Sequence, residues 1–285
     1  MKLATIRTEE GTRAVRVEGD EVIDLGYADV GALLAAPGGL AAAATIDGPR
    51  SSADGVDYAP PVLAPGKVVC VGLNYRNHIL EMGRDLPQYP TLFSKFADTL
   101  IGANDPILRP DETTEFDWEA ELTIVVGATV RRATGAEAEA AIAGFTVLND
   151  ITARDWQFRT REWLQGKNWQ SSTPVGPVVV TPDELPGGVR PSLTISSEVD
   201  GEPMQKDSTG DLVFDPVHLI EYVSTMITLR PGDLIATGTP GGVGHARTPA
   251  RYLSAGQRVV TRIEGIGTLD NLVTADPAVV AAAGA

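Results

Sequence analysis

Phe116-Asp117-Trp118-Glu119-Ala120-Glu121-Leu122-Thr123-Ile124-Val125-Val126 is the stretch on which the fold turns. Its second half, Thr123 to Val126, is a β-branched apolar run that suits a buried strand. If the whole stretch is one strand, Asp117, Glu119 and Glu121 project from one face, while Trp118, Ala120 and Leu122 take the other. Three carboxylates spaced two apart repel one another, and partial burial makes the repulsion worse. A bound cation removes the conflict. The alternative is an edge strand whose acidic strip faces solvent.

Working outward, a second carboxylate ends a second apolar run: Phe145-Thr146-Val147-Leu148-Asn149 leads into Asp150. Glu119, Glu121 and Asp150 then form an oxygen-only set. It suits Mg²⁺, Mn²⁺ or Ca²⁺, with water or substrate in the remaining positions. No His or Cys adjoins these carboxylates in sequence, so zinc fits less well.

The flanking chain is rich in strand signals. Residues 3–7 and 13–25 read as strands, the second broken by a turn at Glu18-Gly19-Asp20. Residues 28–44 suit a small helix interrupted at Pro37-Gly38-Gly39. Residues 47–66 are rich in Pro, Gly, Ser and Asp and read as a linker. We therefore expect a small β-rich N-terminal domain with its linker over 1–65 and a larger domain over 66–285. In the larger domain, 67–72, 175–181, 193–201, 233–237 and 258–264 read as strands. A brief helix follows at 74–83. Thr134 and Glu137 fit a capping box for a helix over 135–143. Asp215-Pro216 opens another helix, with Leu219, Ile220, Val223 and Ile227 on one face. Strands outnumber helices and no βα alternation is sustained, which gives a β-rich α+β class and disfavours a doubly wound nucleotide-binding fold.

Composition narrows the function. The chain has 285 residues, 43% of them hydrophobic and 21% charged, ordinary for a globular protein. Its 23 basic and 38 acidic residues give a formal charge of −15, which repels nucleic-acid backbones and anionic membrane surfaces. No apolar run reaches the ~18 residues of a spanning helix. The start, Met1 to Arg13, becomes charged too early for a signal-peptide core. One cysteine, Cys70, excludes an intrachain disulfide, so a reducing cytoplasm is the expected setting.

His78 and Glu81 stand three apart in Asn74-Tyr75-Arg76-Asn77-His78-Ile79-Leu80-Glu81. In a helical turn they share a face, so the carboxylate can orient the imidazole as a general base. The alternative is that His78 packs or makes a structural hydrogen bond. His218, on the helix after Asp215, is expected at the surface or in packing. His245, after Gly241-Gly242-Val243-Gly244, is expected in a loop.

Five segments occur in order: VGLNYRNHILE (71–81), FDWEAEL (116–122), NDITARDWQ (149–157), GKNWQSSTPVGP (166–177) and TGTPGGVG (237–244). Together they resemble the signature segments of the fumarylacetoacetate hydrolase family over roughly residues 66–275. The family includes acylpyruvases, oxaloacetate decarboxylases and 2-hydroxyhepta-2,4-diene-1,7-dioate isomerases. The resemblance implies a mixed β-roll catalytic domain behind a small N-terminal domain, assembled as a homodimer. It implies that Glu119, Glu121 and Asp150 are metal ligands, Mg²⁺ or else Mn²⁺ or Ca²⁺. Asp117 falls outside the ligand motif and is expected beyond the ligands or facing solvent. The resemblance also implies that His78 and Glu81 are an acid–base dyad on a lid. Lys167 would stabilise developing negative charge, Gln157 would be the active-site glutamine, and Thr239 would hold a substrate carboxylate. Tyr75, Arg76 and Lys95 are further candidate substrate contacts. Arg154 and Asp155 are expected to form a structural ion pair. Asn168-Trp169 and Phe96 depart from residues common in the family and are expected to bear on pocket shape.

The chemistry implied is that of a 2-oxo acid. The first reading is a metal-dependent hydrolase that cleaves a C–C bond in a fumarylpyruvate-like acylpyruvate during aromatic-compound breakdown. The alternatives within the family are an oxaloacetate decarboxylase and a dienedioate isomerase. A non-catalytic cation-stabilised binding protein is the alternative of another class, and it needs none of His78, Glu81 and Lys167.

Overall fold

The computed structural model describes residues 1–81, 83 and 85–277. Strand Ala120–Val126 lies within a twelve-stranded sheet, between Ile142–Asn149 and Leu234–Ala236. Every residue of Ala120–Val126 and of Ile142–Asn149 is buried. Both faces are covered, so the run carries no apolar–polar alternation.

The stretch from Phe116 to Val126 is not one strand. Phe116–Asp117 pairs with Thr152–Ala153 in a separate two-stranded sheet, and the regular ladder resumes only at Ala120. Asp117 accepts a hydrogen bond from the Trp118 amide at 2.8 Å, which takes that amide out of any ladder. Asp117 therefore shares no strand face with Glu119 and Glu121, and it is fully buried, not solvent-facing. Phe116 and Trp118 pack with Ile151, Val199 and Leu253 in an apolar cluster of their own.

The register between the two central strands pairs Ala120 with Asn149 and Glu121 with Leu148. One step further, the Asp150 amide donates to the Glu119 carbonyl at 2.8 Å, and the Glu119 amide donates to Asn149 Oδ1 at 2.9 Å. This register brings together two carboxylates that stand far apart in sequence.

A five-stranded sheet, in the order Glu202–Ser208, Thr194–Val199, Arg258–Ile263, Gly267–Ala275 and Ile107–Arg109, packs on the central strands. Ile195, Ile263 and Leu269 share an apolar core with Leu122, Ile124 and Phe145. Helix Pro216–Met226 adds Leu219, Ile220 and Val223 to it. Asp215 caps that helix by accepting from the Val217 and His218 amides. Ile227 lies beyond the helix end in extended backbone and is 47% exposed, so it does not continue the apolar face. The capping box at Thr134 does not form. Helix Ala136–Ala140 has Gly135 at its N-cap, and the Glu137 amide bonds the Thr134 carbonyl, not its hydroxyl.

Strands Lys2–Thr8, Gly11–Glu18, Glu21–Asp24 and Arg50–Ser52 form an antiparallel meander, with the turn at Gly19-Asp20. The expected helix over 28–44 is split into Val30–Ala35 and Gly39–Ala43. The stretch read as a linker carries Arg50–Ser52 and Asp57–Tyr58. The meander joins the large sheet where Lys2 pairs with Val180 and Leu3 with Val179. Ala4, Ile6, Val15 and Val22 enter the same apolar cluster as Phe145 and Val178. No described helix is long and apolar enough to cross a membrane.

Candidate active site

Glu119, Glu121 and Asp150 each place an oxygen within 4.8 Å of the others. Glu119 and Glu121 line a cavity of about 280 Å³, and Asp150 lies fully buried behind them. Lys167 Nζ donates to Glu119 Oε2 at 2.7 Å and to Asp150 Oδ2 at 2.8 Å. Arg154 Nη2 lies 2.7 Å from Glu119 Oε1, and its Nε donates to Asp117 Oδ2 at 2.8 Å. Lys95 Nζ donates to Asp150 Oδ1 at 2.7 Å and to the Ile151 carbonyl at 3.0 Å.

Four buried carboxylates (Asp117, Glu119, Glu121 and Asp150) thus meet three buried cations (Lys95, Arg154 and Lys167). Glu121 is the uncompensated member. Among the described residues its carboxylate takes one hydrogen bond, from the Gly238 amide at 2.9 Å. Burial, with the charges of Asp150 and Glu119, pushes its pKa well above the ordinary carboxylate value. Burial also disfavours the Asp150 carboxylate, but Lys167 and Lys95 outweigh it and hold that pKa down. Burial likewise disfavours the Lys167 ammonium, but Asp150 and Glu119 outweigh it and raise its pKa. An all-oxygen set with one unbalanced buried charge fits a hard divalent cation held by Glu119, Glu121 and Asp150.

Local backbone builds this arrangement. Gly238 has φ 101°, and a Cβ there would lie 2.8 Å from the Val71 carbonyl oxygen. Only glycine lets that amide reach Glu121. Strand Val68–Gly72 ends at Leu73, whose φ of 56° turns the chain into helix Arg76–Glu81. Asn74, fully buried, anchors the turn. Its Nδ2 donates to the Phe214 and Thr237 carbonyls, and its Oδ1 accepts from the Phe214 amide. His78, on that helix, lines the cavity. Glu81 ends the helix, and its side chain lies outside the described residues.

Gln157 and Lys167 line the cavity from two adjacent short helices, Arg154–Gln157 and Leu164–Lys167. Arg154 Nη1 donates to Gln157 Oε1 at 3.0 Å, which leaves the Gln157 amide nitrogen to donate into the cavity. Thr239 also lines it. Gln205 Nε2 donates to Thr239 Oγ1 at 2.7 Å and to the Pro240 carbonyl, while its Oε1 accepts from the Ala120 amide and Ser197 Oγ. Gln205 is thereby fixed in one orientation, and the Thr239 hydroxyl is left to donate to a ligand.

The structure does not bring every candidate to the cavity. Lys95 sits behind Asp150, Tyr75 is fully buried and bridged to Leu212, and Arg76 is exposed. None of the three lines the cavity among the described residues. Arg154 and Asp155 do not pair with each other. Arg154 serves Asp117 and Glu119, and Asp155 accepts from Thr113 Oγ1. Arg154 itself lines the cavity. So do Phe93, Phe158, Trp163 and His245, none of which the motifs singled out as site residues. Lys167 Nζ stands 4.8 Å from the Phe93 ring centroid, a cation–π contact. Asn168 and Phe96 do not line the cavity. Asn168 Oδ1 accepts from the Phe96 amide at 2.7 Å, and Asn168 Nδ2 donates to the Ser94 and Leu164 carbonyls. That ties the Lys167 helix to strand Thr91–Lys95. His218 is exposed and stacked on Phe214, as expected of a packing residue.

Residues 67–274 match the family described as fumarylacetoacetate (FAA) hydrolase C-terminal. A mitochondrial oxaloacetate tautomerase of Rattus norvegicus is 42% identical over 226 residues, covering 79% of this chain and 71% of that protein. The solved fumarylacetoacetate hydrolase of Exiguobacterium antarcticum is 34% identical, with a TM-score of 0.86 over 96% of this chain and 99% of that one. The 5-carboxymethyl-2-hydroxymuconate delta-isomerase of Mycobacterium smegmatis is 31% identical, with a TM-score of 0.80 over 97% and 100%. With residues 67–274 matching the family and a relative 42% identical over 79% of its length, the chain belongs to the fumarylacetoacetate hydrolase family.

Proposed function

We propose that the protein is a divalent-metal-dependent enzyme that moves a proton at C3 of a 2-oxo dicarboxylic acid, interconverting keto and enol forms of an oxaloacetate-type substrate. The observation that carries this reading is the unbalanced carboxylate cluster facing a cavity that His78, Lys167, Gln157 and Thr239 also line. Glu119, Glu121 and Asp150 would hold a divalent cation, which would supply Lewis-acid polarisation of such an acid. The Thr239 hydroxyl, set as a donor by Gln205, suits the C1 carboxylate. Lys167 and the Gln157 amide oppose the negative charge that develops on the C2 oxygen. His78, with Glu81 beside it in sequence, takes or returns the C3 proton. The name of the rat relative supports oxaloacetate as the substrate type.

Hydrolysis of an acylpyruvate is the second reading. It is favoured by the likeness to the Exiguobacterium hydrolase along nearly the whole of both chains. There His78 would deprotonate water for attack on the distal carbonyl. We also infer assembly as a homodimer, which light scattering tests. The cytoplasmic expectation gains no support from a relative that is named mitochondrial.

The deciding experiment follows oxaloacetate enol by ultraviolet absorbance with Mg²⁺, beside an acylpyruvate and with pyruvate release measured in parallel. Enol loss without pyruvate release supports tautomerisation. Acylpyruvate cleavage with no effect on the enol supports the hydrolase. Full activity after exhaustive chelation would overturn both.

A further inference from the structure

We propose that His245 is the residue that recognises the distal carboxylate of the substrate, and so selects 2-oxo dicarboxylates over monocarboxylates. The inference rests on the reading that the 2-oxo acid head lies against the Glu119, Glu121 and Asp150 cluster.

His245 lines the same cavity as Glu119, Glu121 and Lys167. It is exposed, so it stands at the cavity mouth and not in its floor. Its backbone is built in. The Gly244 and His245 amides donate to the two Asp117 oxygens at 2.7 and 3.0 Å. Trp118 Nε1 donates to the Gly242 carbonyl, and Arg247 Nη2 donates to the Met204 carbonyl at 2.8 Å. A Cβ on Gly244 would collide with the Arg251 carbonyl oxygen and crowd Asp117 Oδ1, so this turn requires glycine. Asp117 is also the partner of Arg154, so one buried carboxylate sets both the arginine beside the cluster and the histidine at the mouth.

The ring is oriented as well. Its Nδ1 lies 3.0 Å from the Tyr252 hydroxyl, and its face lies against Phe158 at 5.3 Å between centroids. Burial and the Glu115 charge push the Tyr252 phenol up to about 12. With Nδ1 engaged by Tyr252, Nε2 is the ring nitrogen left to a ligand. A carboxylate at the mouth can then take a hydrogen bond from Nε2–H while Nδ1 stays with Tyr252.

The other basic groups at the cluster are bonded to its own carboxylates, at the floor where the 2-oxo acid head is placed. Lys167 is shared between Glu119 and Asp150. Arg154 directs Nε to Asp117, Nη1 to Gln157 and Nη2 to Glu119. Among the described residues the His245 side chain has no carboxylate partner, and its Nε2 has no partner. A substrate with its 2-oxo acid head in the floor and a second carboxylate toward the mouth places that second charge on the His245 side.

The test uses unreactive 2-hydroxy acids as probes, so it does not depend on turnover. Affinities of the Mn²⁺-loaded full chain for malate and for lactate are measured by calorimetry in wild type, His245→Leu and His245→Gln. The wild type is expected to prefer malate. His245→Leu should weaken malate tenfold or more and leave lactate unchanged, and His245→Gln, which keeps a donor, should recover part of the loss. No malate preference in the wild type, or equal losses for malate and lactate in His245→Leu, would overturn the proposal. Malate selectivity that depends on His245 in a protein that does not act on oxaloacetate enol would keep this inference and discard the tautomerase reading.

Discussion

Lys95 reaches Asp150 from outside the cavity lining: its ammonium donates to Asp150 Oδ1 at 2.7 Å with both side chains shut off from solvent. It therefore fixes a carboxylate of the candidate metal cluster. Lys95→Met should lower the stability of the metal-free protein by about 3 kcal/mol, the low end for breaking a buried pair, because Lys167 still opposes Asp150. Denaturant melts in chelator check this, and KM for substrate should change less than metal affinity does.

Glu119 and Glu121 should respond oppositely to neutralisation. Glu119 is paired with Lys167 and Arg154, so Glu119→Gln strands two buried cations and destabilises the metal-free fold. Among the described residues Glu121 has no ion-pair partner, so Glu121→Gln removes an uncompensated charge and should raise metal-free stability by about 1–2 kcal/mol. Both variants should lose divalent-ion affinity and turnover. Thermal melts with and without Mn²⁺ separate the cases, and a destabilised Glu121→Gln apo-protein would contradict the charge balance.

His78→Ala is expected to leave metal affinity near that of the wild type and to cut kcat by about 10²-fold or more, the usual scale for a lost general base. Unchanged kcat would return His78 to a packing role.

Gln205 acts through Thr239. Gln205→Leu removes the partner of the Thr239 hydroxyl and leaves Ser197 and the Ala120 amide unsatisfied, at about 1–3 kcal/mol for each buried group. Substrate KM should rise more than kcat falls. A purely structural role for Gln205 would lower stability with KM unchanged.

The carboxylate cluster was readable because its members end or interrupt apolar runs, and burial of charge next to such runs demands a cation. The strand boundaries around it were less readable. Asp117 looked like a third member of an alternating set, but its bond to the next amide belongs to a turn, and period-two spacing alone does not separate the two. Lys95 and Arg154 were misassigned for a different reason. A basic residue near a motif looks alike whether it meets substrate or a ligand carboxylate, and only the register between Ala120–Val126 and Ile142–Asn149 decides which. Gln205 carried no signal at all, since its four hydrogen bonds run to residues up to 85 positions away. His245 lay one residue beyond a glycine-rich motif whose glycines drew the reading to a loop.

The pairing of Lys2 and Leu3 with Val180 and Val179 has a consequence for truncation. A chain beginning at residue 66 would keep all the cavity-lining residues found here, yet it would bare the free side of strand Thr173–Val180 near its C-terminal end. That side includes Val179 and Val180, a short β-branched edge with no charge to discourage a second molecule from docking. The N-terminal meander thus acts as a built-in cover against strand-to-strand self-association. Its removal should show first as loss of colloidal solubility, before any change at the carboxylates.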